Sequence, residues 1–173
     1  MERTGKAALY VRVPAVVEAE LAYLDLAQFR DRWVALCFMP HLEPPEATFL
    51  GGHAEKFARE HVSLLAIAPD SALFDRQWIS RFGNQRLPLL ADPLRRLRRR
   101  FDVPRNPIGC QTFVIGPDGL TRCRIAHDLT DWSLRTILEL LRASRTQGLQ
   151  RATIGSRRTV AREVAQEDSV RID

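Results

Sequence analysis

Three short runs rich in valine, leucine and isoleucine, at 33–38, 62–67 and 112–115, do most to limit what this chain can become. Each is bounded by turn-forming residues, which reads as a buried strand in a sheet covered on both faces. Between the first two, the segment 47–61 carries Leu50, Ala54, Phe57 and Ala58 at helical spacing. That lays one face of a helix against the sheet, and Pro44 and Pro45 stand ahead of it, where a missing N–H costs little. Ala68, Pro69, Asp70 and Ser71 form a loop with capping residues, and 72–82 predicts a helix with Leu73, Trp78, Ile79 and Phe82 near one side. Asp92 and Pro93 open another over 94–101, with Leu94, Leu97 and Phe101 inward and its arginines outward. Pro117, Asp118 and Gly119 signal a turn between 112–115 and 120–126, which predicts a β-hairpin. After Thr130 and Asp131, the series Leu134, Ile137, Leu138 and Leu141 predicts a last helix.

With 173 residues, 45% of them hydrophobic, the chain can bury one sizeable core. The expectation is one domain over 1–145 and a polar tail over 146–173, disordered or docked on a partner chain. The tail sets isolated apolar residues, such as Ile154, Val160, Val164 and Val170, against an ordering cost of roughly 1–2 kcal/mol per residue. No apolar run reaches the roughly 18 residues of a membrane span, and no export-type stretch follows Met1 to Lys6, so a cytoplasmic protein is expected. Cys37, Cys110 and Cys123 are odd in number and lack metal-ligand spacing, which suits free thiols in a reducing compartment, without a zinc site or other cofactor. The net charge of +5 comes from arginine, since Lys6 and Lys56 are the only lysines. The densest cluster, Arg95, Arg96, Arg98, Arg99 and Arg100, reads as a solvated helix face. No stacking aromatics or nucleic-acid motif accompany it, so nucleic acid is not an expected partner.

Six segments in order narrow the fold: 14–17, 24–29, 66–71, Trp78 with Ile79, 87–92 and 112–119. Together they resemble the peroxiredoxin family, of the alkyl hydroperoxide reductase and thiol-specific antioxidant type, over about residues 10–143. The resemblance implies an α/β, thioredoxin-like fold of peroxiredoxin-type architecture, a central mixed sheet flanked by helices. It also implies a peroxidatic thiolate at the head of the first long helix and an arginine from a later strand, because a thiolate needs a helix N-terminus and a cation to hold its charge. Counted forward from Pro40, that cysteine position falls on Ala47; counted back from Phe57, it falls on Pro44. The arginine position, three residues before Phe113, is Cys110, and no thiol after Cys123 matches the resolving cysteine of many members.

These departures lead us to expect a peroxiredoxin-like protein without the peroxidatic cysteine and its arginine, acting as a non-catalytic binding or assembly subunit. The alternative is an atypical thiol-dependent oxidoreductase or antioxidant using Cys110. The expected site is the former active-site pocket of Pro40, His41, Glu43, Pro44, Glu46, Ala47 and Cys110. Cys110 is there as the candidate redox thiol or as a small buried filler. A third reading has His41, Glu43 and Glu46 bind a small molecule or metal, or act as an acid–base pair. Cys37 is expected in core packing, Cys123 half buried without a role, His53, His61 and His127 in surface or capping roles, and Trp132 stapling the entry to the last helix. The partner expected is another protein or a second copy, giving at least a dimer, with the C-terminal tail as a candidate docking segment and no membrane.

Overall fold

A computed structural model describes residues 9–68, 80–81 and 87–146. Ser80 and Arg81 are helical; the rest of the helix expected over 72–82, Trp78 with it, and the tail beyond 146 lie outside the described residues. The chain divides into two units, Met1–Thr136 and Ile137–Asp173. The first runs β1 (Arg12–Val17), β2 (Glu20–Asp25), a 3-10 turn (Leu26–Phe29), β3 (Trp33–Phe38), α1 (Pro44–Arg59), β4 (Val62–Ile67), β5 (Leu89–Leu90), α2 (Arg96–Arg100), β6 (Cys110–Ile115) and β7 (Thr121–His127). Helix α3, 131–146, begins in this unit; its residues 137–146 are the described part of the second, with Ile137 and Leu141 buried.

The strands form one mixed sheet in the order β2-β1-β5-β4-β3-β6-β7. β3 and β4 are parallel neighbours joined through α1, the crossover that parallel pairing requires. β6 returns antiparallel beside β3 and β7 antiparallel beside β6, the hairpin expected from Pro117, Asp118 and Gly119. The N-terminal hairpin was not expected from periodicity. Its turn residues Glu18 and Ala19 take φ of 49° and 68°, a left-handed pair for which glycine or asparagine is the usual sequence signal. Pro14 sits inside β1, yet its carbonyl still accepts from the Ala91 N–H at 2.8 Å, and β5 is too short to ask for the N–H it lacks.

Because strand side chains alternate, β3, β4 and β6 divide their residues between two faces. On one, Val34, Leu36, Phe38, Leu65, Ile67, Phe113 and Ile115 join Leu97 and Phe101 in a closed apolar core. Phe38, Phe101 and Phe113 meet edge to face or tilted there, with centroids 4.9–5.6 Å apart. The other face carries Ala35, Cys37, Leu64, Ala66, Thr112 and Val114, all buried. No residue of α1 belongs to the aromatic core; α1 turns its buried Ala47, Leu50, Gly51, His53 and Phe57 to the opposite face, against β4.

Three expectations need correction. The arginine cluster is not wholly a solvated face. Arg98 is 1% exposed, and its guanidinium donates to Met39 O and Ala68 O, each at 3.2 Å, over the Phe38 ring at 5.7 Å. The cause is Arg95, whose φ of 53° interrupts the helical phase. The helix begins only at Arg96, while Leu94, expected inward, is 60% exposed. The buried Asp92 carboxylate accepts from Leu97 N and Arg98 N at 3.1 and 2.8 Å and fixes the new phase. Trp132 does not staple α3: it is 73% exposed, and Thr130 caps the helix by accepting from Ser133 N at 3.1 Å. His53 is buried, with its ring nitrogens on Phe49 O at 2.9 Å and Asp131 Oδ1 at 2.6 Å, which ties α1 to the first residue of α3.

Candidate functional site

Register places the sulfur chemistry. In the β3–β6 pair Cys37 stands opposite Thr112, so Cys110, two residues before Thr112 on the same face, lies diagonal to Cys37. In the β6–β7 pair Cys110 stands opposite His127. Gly109 permits this entry into β6: its φ is +71°, and a Cβ there would meet His127 O at 2.8 Å. Both thiols lie against the Met39 thioether, Cys37 Sγ at 3.5 Å and Cys110 Sγ at 3.7 Å from Sδ. Thr112 Oγ1 and His127 Nε2 are 2.8 Å apart, and His127 Nδ1 donates to Asp128 O at 2.8 Å. That second bond holds a proton on Nδ1 and leaves Nε2 turned to the hydroxyl and the thiols.

The electrostatics separate the two cysteines. Cys37 is lowered from 9.0 to about 5: the Cys110 thiol donates to it, and His127 and Thr112 add further hydrogen bonds, together outweighing burial. Cys110 is pushed well up, first by serving as that donor, then by burial, with the charges of Asp128 and Glu46 adding to it. Burial pulls His127 down, but its bond to Cys37 and the carbonyl and charge of Asp128 raise it overall. Cys123, half buried in β7, is raised by burial. The residue expected to be the redox thiol is therefore the proton donor of a pair, and the acidic member is Cys37, expected only to fill the core. His127, expected at the surface or in a cap, is the polar end of the same cluster.

The head of α1 is built differently. Pro44 and Pro45 occupy its first two positions, and Glu46 accepts from Glu43 N at 3.1 Å. The Glu43 carboxylate takes a guanidinium N–H of Arg81 at 2.6 Å. His41 is exposed, Pro40, Pro44 and Glu46 are half buried, and Ala47 is fully buried. Of this set, Glu46 acts on Cys110 through its charge. Two clefts, of about 420 Å³ beside Trp33 and His61 and about 340 Å³ beside Leu94 and Arg99, contain none of these residues. Among the described residues no three His, Cys, Asp or Glu side chains are grouped to hold a metal, and no helix is long and apolar enough to cross a membrane. Sequence reasoning missed Cys37, Met39, Thr112 and His127 as one group; only the registers of β3–β6 and β6–β7 could have assembled them.

Comparison with known proteins bears on the whole scaffold. The chain is 28% identical over 138 residues to peroxiredoxin-2 of Mus musculus, covering 72% of this chain and 70% of that protein. It is 25% identical over 140 residues to a putative peroxiredoxin in the rubredoxin operon of Clostridium pasteurianum, covering 73% and 79%. The reduced 2-Cys peroxiredoxin of Plasmodium vivax superposes with a TM-score of 0.64 at 18% identity, covering 79% of this chain and 93% of that one, which establishes the shared fold. The model of the AhpC/TSA family matches residues 5–123, from the N-terminus into β7, and this chain belongs to that family.

Proposed function

We propose that this chain is a peroxiredoxin-like protein that does not turn over hydroperoxides and works by binding, as a subunit of an assembly. The observation that carries this reading is the head of α1. The resemblance calls for a thiolate there, held by a helix N-terminus and a cation. In its place stand Glu43, Pro44, Pro45, Glu46 and Ala47, with Glu46 already closing the cap and Arg81 engaged by Glu43. A thiolate at that point would face two carboxylates, which oppose its ionisation. The arginine position is filled by Cys110, so the cation that would orient a peroxide has no counterpart there. A thiol oxidoreductase resting on Cys110 as nucleophile is weakened by the upward shift of that thiol.

The assembly is at least a dimer of this chain, located in the cytoplasm. The domain over 1–145 is its folded part, and the tail over 146–173 docks on a second copy through Arg151, Arg157, Arg158 and Arg162. The test is hydroperoxide consumption with an excess of dithiol, compared with a variant in which all three cysteines are serine. The expected result is at most one equivalent consumed per chain. Sustained consumption above the variant would overturn the reading. Sedimentation of the full chain and of 1–145 tests the tail: the shorter form is expected to be of lower order, and an unchanged assembly would remove the tail's role.

A further inference from the structure

We infer that Cys37 and Cys110 form a buried dithiol that hydrogen peroxide converts to a disulfide joining β3 to β6, with Cys37 as the attacking sulfur. Two geometric facts carry this, and the electrostatics agree with them. The two thiols lie on one face of adjacent antiparallel strands and share the Met39 sulfur as a neighbour at 3.5 and 3.7 Å. The lowered Cys37 and the raised Cys110 agree with this placement, since the one thiol serves the other as proton donor. A polar path, Thr112 to His127 to the Asp128 carbonyl, leads from the buried sulfur towards half-exposed β7. The size of the oxidant follows from burial: Cys37 is 1% and Cys110 3% exposed, so an oxidant of about the size of water reaches them and a bulky disulfide or hydroperoxide does not.

The chemistry balances without a further partner. The Cys37 thiolate attacks one oxygen of hydrogen peroxide; the S–O bond forms, the O–O bond breaks, and hydroxide leaves, taking a proton through His127 to become water. Cys110 sulfur then attacks Cys37 Sγ; the S–S bond forms and the S–O bond breaks. The second hydroxide leaves as water with the Cys110 proton. The thiols lose two electrons and the peroxide gains them. Diagonal positions lie about 7–8 Å apart between Cα atoms, slightly wide for a relaxed disulfide, so the link draws β6 towards β3, and its burial keeps an external dithiol away from it. The titrating and charged groups acting on the pair are His127 and Asp128 from the β7 end and Glu46 from α1.

The experiment uses the full chain, reduced with a phosphine and then exposed to hydrogen peroxide in the native state. Peptide mapping without reductant is expected to give one linked peptide pair, Cys37 to Cys110. The chain should lose the mass of two hydrogen atoms, while Cys123 stays free to alkylation after denaturation. Cys110→Ser should leave a trappable sulfenic acid on Cys37, and Cys37→Ser should leave Cys110 reduced. His127→Gln should slow linkage by about tenfold or more and move its pH profile upward, a change that lost packing alone would not produce. A link through Cys123, a sulfinic acid on Cys37 beside a reduced Cys110, or three unchanged thiols in the parent chain would each overturn the inference. The parent mapping does not depend on any variant folding. Failure here leaves the non-peroxidase reading standing, whereas sustained turnover with dithiol would strike that reading instead.

Discussion

Phe113 and Thr112 are neighbours on β6 and live in different chemical worlds. Phe113 points into an apolar core closed by Phe38 and Phe101, with the Arg124 guanidinium 5.3 Å from its ring centroid. Thr112 points to a face of thiols, a thioether and an imidazole. Both are almost wholly buried, at 5% and 1% exposure, so burial does not distinguish them. What differs is size and polarity. The aromatic face fills its volume with large rings, whereas the other face carries small residues such as Ala35, Cys37 and Ala66 beneath a long helix. Small polar groups in a low-dielectric layer must satisfy one another. On this face they do so with sulfur, hydroxyl and imidazole, and that requirement is also what sets one thiol apart from the other.

The contrast can be broken most forcefully on the aromatic side. Phe113→Ala opens a cavity in the ring cluster and is expected to lower unfolding free energy by about 3–5 kcal/mol in urea titration, leaving the ultraviolet thiolate absorbance of Cys37 unchanged. A parallel change in that absorbance would show that the two faces are coupled. Arg98→Ala removes the donor to Met39 O and Ala68 O and is expected to cost about 2–3 kcal/mol by the same measurement, because two buried carbonyls lose a partner.

The smallest effect should come from Thr112→Val, about 1 kcal/mol, and it sharpens the comparison through its pH dependence. Cys37 has its folded pKa depressed from 9.0 to about 5, so its contribution to stability is fully present above pH 9 and is lost as the pH falls through about 5. Removing the hydroxyl raises the folded value. The Thr112→Val deficit should therefore be full at pH values above the folded value of the variant and fade as the pH falls through about 5, with the thiolate absorbance titrating at higher pH. His127 runs the other way: its raised pKa stabilises below 6.5 and that contribution is lost as the pH rises through the folded value, which keeps the acidic limb of the profile shallow. A deficit independent of pH would mean that Thr112 acts on packing alone.

Strands β3, β4 and β6 were legible because their residues are locally consistent, apolar runs with turn residues at their ends, and β7 followed from the turn signal of Pro117, Asp118 and Gly119. The β1–β2 hairpin was not, because Glu18 and Ala19 hold left-handed angles that their types do not advertise, and Pro14 argues against an interior strand. The inward turn of Arg98 was hidden for a related reason, the left-handed Arg95 that shifts the helical phase by local backbone geometry. For the site, the sequence located Cys110 and the cysteine-free head of α1. It did not bring Cys37 to Cys110 or either of them to His127, since those meetings depend on which residues of distant strands face each other.

The sequence by itself determined that a sheet would be covered on both faces, and that no sulfur would stand at the head of its first long helix. Both follow from residue type at a position, through apolar patterning in one case and the absence of a thiol in the other. Only the tertiary structure decided which thiol is acidic. Acidity in a buried pair depends on donors within hydrogen-bond reach, and strand register, fixed by the packing of the whole sheet, put Cys110, Thr112 and His127 around Cys37.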